Sequence, residues 1–200
     1  MAYEPKNFDG LLGTAGLSDT LLKNHFTLYQ GYVANSNKLV DKLAAADKTT
    51  PEYAELKRRF GWEFNGMRLH ELYFWNMSKG GKALSAKARI GKKIVEDFGS
   101  MDAWEKDFRA IGAMRGIGWV VLYYDLHGKK LYNSWVNEHD VGHLAGAEPL
   151  LVMDVFEHAY MVDYGLKKAD YIAAFFKALD WDSVAQRYEM CAGCDCKECK

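Results

Sequence analysis

Gly118-Trp119-Val120-Val121-Leu122-Tyr123-Tyr124 and Lys130-Leu131-Tyr132-Asn133-Ser134-Trp135-Val136 are two runs rich in β-branched and aromatic residues. Asp125 to Lys129, with His127-Gly128 inside, separates them, and such a pair of runs around a short polar turn reads as a β-hairpin. Upstream the period is helical. From Leu21 onward apolar or aromatic residues fall at 22, 28, 29, 32, 33, 39, 40 and 43, after the cap-forming pair Ser18-Asp19. Thr50-Pro51-Glu52 opens a second helix, with a cap, proline at the first position and an early acid. Its stripe runs Tyr53, Leu56, Phe60, Phe64, Met67, Phe74. Two such helices joined by the polar stretch 46–50 make an antiparallel hairpin. Met77 to Lys82 reads as a linker, Ser85 to Phe98 and Met101 to about Ala113 as two further helices. Downstream, Leu150 to Asp154 is a short apolar run, expected to be a third strand. A helical segment and a helix over Tyr171 to Leu179 follow.

The expected class is therefore α+β: an N-terminal long antiparallel helical hairpin over residues 1–80, and a C-terminal α/β domain over 81–188. The second domain carries a small three-stranded antiparallel sheet, and a cysteine-rich tail occupies 189–200.

The chain has 200 residues, 49% hydrophobic, enough to exclude water from a buried site. Lys plus Arg number 26 against 27 Asp plus Glu; that balance argues against a nucleic-acid partner, which usually meets a basic excess. No apolar stretch approaches the roughly 18 residues that span a bilayer, so no membrane partner is expected, and Met1 to Lys6 has no apolar run of the signal-peptide kind. All four cysteines, Cys191, Cys194, Cys196 and Cys199, lie in the last ten residues. A body without a disulfide framework suits a reducing compartment, and a cytoplasmic location is expected.

His25 lies in the apolar stripe of the first helix and His70 on that of the second, so a hairpin can face them toward each other. Asp154-Val155-Phe156-Glu157-His158-Ala159-Tyr160 follows an apolar strand. A carboxylate at a strand end with a histidine four residues later can aim both side chains at one point. Three imidazoles and one carboxylate make a donor set of charge −1, suited to iron, manganese or zinc.

At these residues the chain resembles the iron/manganese superoxide dismutase family, whose signature is Asp-x-Trp-Glu-His-Ala; the resemblance covers about residues 15 to 188. It implies one iron or manganese ion per subunit, held by His25, His70, Asp154 and His158 with a solvent molecule as fifth ligand. It implies superoxide as substrate, converted to dioxygen and hydrogen peroxide. Proton handling falls to Tyr32, in Tyr32-Val-Ala-Asn-Ser-Asn-Lys-Leu39, and to His139, in Asn137-Glu-His-Asp140, where family members place a Gln or His. Gly66 is small, as in members whose solvent partner comes from that later loop. Trp75 and Trp119 match aromatics lining the family's metal pocket, and Phe156 stands where the signature has Trp. Glu157 matches a residue that contacts the opposite subunit, which implies a homodimer or a homotetramer.

The chain departs from the family at several points. The usual spacing from first ligand to active-site Tyr is eight; from His25 to Tyr32 it is seven. At about 100° per residue seven places return to nearly the same helix face, whereas eight overshoot by about 80°. Members can absorb the eighth residue in a π-bulge, so the expectation here is the same geometry on a regular helix. The family's cross-subunit His–Tyr bridge is replaced at both ends, by Tyr29 or Leu28 and by Met161, and Lys168 lies near a common funnel Arg. The cysteine run lies outside the resemblance. Its four thiols suit zinc or another soft metal, with a redox-sensitive tail or a functionless appendage as the other readings. A metal-storage or delivery protein on the same fold is the alternative to the enzyme.

Overall fold

The computed structural model describes residues 2–193 and shows why each element begins where it does. The first long helix, α1, runs Asp19–Ala45; Ser18 caps it by accepting the Leu21 amide. The second, α2, runs Pro51–Trp75, with Thr50 accepting the Tyr53 amide and proline at its start. They pack antiparallel. A second pair, α3 (Arg89–Phe98) and α4 (Met101–Ala113), leads into the sheet. Helix α3 begins later than Ser85, because Ser85 to Ala88 close a turn of their own.

Strands β1 (Gly118–Asp125), β2 (Lys130–Asn137) and β3 (Ala147–Asp154) form an antiparallel sheet in the order β2-β1-β3. The central strand is buried almost throughout. Side chains alternate faces along a strand. Val120 and its cross-strand partner Met153 therefore meet α4, where Gly112 leaves room for the Met153 side chain. Trp119 and its partner Asp154 take the opposite face, toward the hairpin. The third strand starts three residues before the apolar run, at Ala147. It is an edge strand, so Pro149 is tolerated there, and the register shifts opposite Leu122/Tyr123.

After β3 come a single turn at Glu157–Ala159, the short helix α5 (Met161–Tyr164), then α6 (Lys168–Ala178) and α7 (Trp181–Ala192). The Asp163 carboxylate accepts both the Ser18 amide, at 2.7 Å, and its hydroxyl, at 2.6 Å. This ties the start of α1 to the segment following β3. Helix α7 runs into the tail expected over 189–200, so Cys191 lies on a helix; Cys194, Cys196 and Cys199 lie outside the described residues.

The segment 77–82 is bonded into the body: Met77 bridges Leu179 and Lys82 bridges Asp180. Gly81 makes this possible, with φ +64 and no room for a Cβ against the Lys177 carbonyl. Just before it, Asn76 is completely buried; its amide donates to the Val152 carbonyl at 2.7 Å and its oxygen accepts from Arg187. Burial holds Arg187 down to about 10. Asn76→Ala leaves a carbonyl and a guanidinium short of partners, each costing about 1–3 kcal/mol. A loss of about 3 kcal/mol is expected in urea unfolding; a loss under about 0.5 kcal/mol, the level of a neutral surface change, would contradict this account.

Candidate metal centre

Each of the four expected ligands arrives from a different turn of backbone. His25 comes from α1, His70 from α2, Asp154 from the end of β3 and His158 from the turn beyond it. Their ligating atoms all lie within 4.8 Å of one another. Asp154 Oδ2 is the hub, 3.0 Å from His158 Nε2, 3.2 Å from His25 Nε2 and 3.6 Å from His70 Nε2. Its other oxygen is taken by the Phe156 amide at 2.8 Å, and its main-chain oxygen accepts from the Tyr171 hydroxyl at 2.6 Å. Only one carboxylate oxygen is thus presented to the histidines.

Burial holds the His25 and His70 imidazoles below their ordinary range, outweighing the pull of Asp154. For Asp154, burial alone would raise the carboxyl, but His158 and His25 outweigh it and keep the group ionised. His25 and His70 are therefore neutral donors beside one anion. His70 shows what the cluster lacks. Its Nδ1 lies 2.6 Å from the Gly66 carbonyl, which only accepts, so Nδ1 carries the proton and Nε2 is a bare lone pair. That Nε2 is buried, has no hydrogen-bond partner and faces the Asp154 carboxylate. Two acceptors brought face to face in a dry site suit a cation between them. The residues present fit a borderline-hard metal.

Helix α1 is α-helical throughout Asp19–Ala45, without a π-bulge, and presents both His25 and Tyr32 to the centre. The Tyr32 ring stacks on His70 at 5.1 Å. Gly66 allows this: a Cβ there would sit 2.6 Å from Tyr32 Cδ1. His139 is completely buried, between Trp119 and Tyr32. Trp119 Nε1–H donates to His139 Nδ1 at 3.0 Å, and an indole nitrogen can only donate. Burial holds the ring down at about 4, so it is neutral near pH 7 and its proton is on Nε2. His139 Nε2–H therefore donates to the Tyr32 hydroxyl oxygen, 2.8 Å away. Burial pushes the Tyr32 phenol up, so it keeps its proton, which His139 cannot accept and which is left to point elsewhere.

Phe156 stacks between His139, at 4.8 Å, and His158, at 5.1 Å, and Trp119 lies edge-on to His70 at 4.9 Å. Glu157 is exposed. Trp75 does not line the pocket: it is 44% exposed and lies edge-on to Phe8. Five helical steps from His70 turn it about 140° away, whereas Phe74, four steps on, turns only about 40° and lies 4.9 Å from His25. The sequence reading puts Phe74 on the helix stripe but not at the site, and it does not place Tyr73, Tyr171 or Trp62 there. The Trp62 ring lies 4.4 Å from His139; its N–H donates to Glu138, and the Arg59 guanidinium lies 3.9 Å over its face. The signal was available, because Trp62, Gly66, His70 and Phe74 recur every four residues.

The replaced bridge residues have other partners. The Tyr29 hydroxyl is buried, donating to Glu71 at 2.8 Å and accepting the Lys6 amide at 2.9 Å. Met161 is exposed, and the Lys168 ammonium donates to the Met114 carbonyl at 2.6 Å. Among the described residues, no helix is long and apolar enough to cross a membrane.

Comparison with known proteins places these features in a family. A family profile described as iron/manganese superoxide dismutases, C-terminal domain, matches residues 86–187. An iron superoxide dismutase of Aquifex pyrophilus is 39% identical over 93% of this chain and 91% of its own length. A manganese superoxide dismutase of Haloferax volcanii is 37% identical over 94% and 96%. An iron superoxide dismutase of Cupriavidus metallidurans is 37% identical over 86% and 89%.

Proposed function

The chain belongs to the iron/manganese superoxide dismutase family, and on that premise we propose that it converts superoxide to dioxygen and hydrogen peroxide. One iron or manganese ion would be held by His25, His70, Asp154 and His158. When bound, the ion supplies a one-electron couple, so that one superoxide leaves as dioxygen and a second, with two protons, leaves as hydrogen peroxide.

The chain's own residues supply the rest. The observation that carries the reading is the hydrogen-bond line from Trp119 through His139 to Tyr32, whose direction is fixed at its indole end. A line of that polarity holds a neutral tyrosine beside His70 with its own proton undirected by His139, ready for donation to an anion in the pocket. A site built only to store metal has no use for such a line. Trp62, Phe156 and Trp119 wall the pair from bulk water, and His158, the least buried ligand, marks the open side.

The same reading extends to a homodimer or homotetramer, supported by the exposed Glu157 beside His158 and by exposed Met161 and Val162. It extends to the cytoplasm, supported by the placement of all four cysteines in the last ten residues. A soft metal at the cysteine run is a separate proposal.

The test is superoxide decay followed with protein loaded separately with iron and with manganese. Many turnovers per bound ion with at least one metal are expected. A fully loaded but inert protein would overturn the reading in favour of metal storage.

A further inference from the structure

We propose that His143 is a positioning residue that holds His139 in register with Tyr32, an inference that rests on the dismutase reading for its effect on turnover. His139 lies beyond β2, in the segment joining it to β3, and follows Glu138, whose φ is +49. Its ring is anchored by Trp119. Its main chain is anchored by His143, whose Nε2 lies 2.9 Å from the His139 carbonyl. A carbonyl only accepts, so Nε2 carries a proton. The other nitrogen of His143, Nδ1, is held by the Tyr123 hydroxyl, 2.8 Å away.

The arrangement uses one device twice. Trp119 and Tyr123 are four residues apart on β1 and so share a face; His139 and His143 are four apart on the loop. Each strand residue bonds the Nδ1 of one histidine, and the second histidine then clamps the backbone of the first. A cavity of 170 Å³ adjoins the clamp, lined by Tyr123, His143, Arg68 and Leu144 among others. Removal of the His143 ring enlarges that space and frees the His139 carbonyl, so the loop can sink and draw Nε2 away from Tyr32. Turnover depends on that placement, because a proton donor shifted by a fraction of an ångström loses its geometry. His143 touches neither the four ligands nor Tyr32 among its hydrogen bonds, so its action passes through His139.

The test is a double-mutant cycle on full-length, metal-loaded protein. His143→Ala is expected to lower kcat about tenfold, the low end of what loss of an outer-shell partner costs, at unchanged metal content and KM. His143→Gln, which can still donate to the His139 carbonyl, recovers most of it, and Tyr123→Phe gives a smaller loss of the same kind. In a His139→Ala background, His143→Ala causes no further loss. Equal losses in both backgrounds, or none in either, overturn the proposal. A second readout uses full-length protein carrying diamagnetic zinc. The Trp119 indole N–H resonance moves upfield in His143→Ala and Tyr123→Phe and returns in His143→Gln; an unmoved resonance in the first two also overturns it. If wild-type protein is inert toward superoxide, the dismutase reading fails, while the indole resonance still decides whether His143 positions His139.

Discussion

Asparagine in place of Asp154 is expected to abolish metal retention and superoxide removal while leaving the fold intact. The two side chains have the same shape, and an amide oxygen can still accept the Phe156 amide as Asp154 Oδ1 does. What changes is the atom at the hub. The oxygen shared by His25, His158 and His70 becomes an NH₂ group, and the charge of the donor set rises from −1 to 0. Metal affinity should fall by more than about 100-fold, the upper range for outer-shell partners alone. Without metal the stability change has two opposing parts. In wild-type protein the bare His70 Nε2 faces a carboxylate, acceptor against acceptor; in the variant an amide N–H can donate to it. Metal-free Asp154→Asn gains that bond but loses the carboxylate's bonds to His25 and His158, so it should melt somewhat below metal-free wild type while still unfolding cooperatively, with metal absent by mass spectrometry after dialysis. Retained metal, or a collapse of the metal-free fold, would contradict this account of the site.

Gly66→Ala should produce the opposite combination, a loaded site with poor turnover. The added methyl would lie 2.6 Å from Tyr32 Cδ1 and 2.8 Å from Cε1, closer than carbon atoms approach. The ring has nowhere easy to go: it stacks on His70, packs against Trp62 and is bonded through its hydroxyl to His139. Relief requires a shift of Tyr32 along the pocket, costing about 1–3 kcal/mol of stability as overpacking does. The His70 bond to the residue 66 carbonyl survives, because it uses the main chain. We expect at least about a tenfold fall in kcat from the misplaced proton donor, in the range of general acid catalysis, with metal content unchanged. Wild-type turnover in this variant would show that the Tyr32 position is not limiting.

These two residues also show what could be read before any coordinates. That His25, His70, Asp154 and His158 meet was legible through the family resemblance; the hairpin and the sheet were legible because helical and strand periods place side chains on definite faces. The seven-residue step from His25 to Tyr32 was legible for the same reason, and a regular helix suffices for it. Gly66 could be noticed only as a small residue; that the space is filled by a tyrosine ring is a tertiary fact. Trp75 was misplaced because one residue along a helix is a turn of about 100°, and Phe74 takes the inward position. Strand β3 was cut short at Pro149 because the sequence does not show which strand is an edge. The loop pair His139 and His143 carries no periodic signal, so its use of Trp119 and Tyr123 emerges only when the sheet face is known.

The central claim is that one metal ion occupies the space between these four side chains. Anomalous diffraction from crystals of metal-loaded protein, collected on either side of the iron or manganese absorption edge, tests it most directly. The account predicts one peak per subunit, within bonding distance of His25, His70 and His158 Nε2 and Asp154 Oδ2. A peak elsewhere in an enzyme that removes superoxide, with this cluster empty, would contradict it.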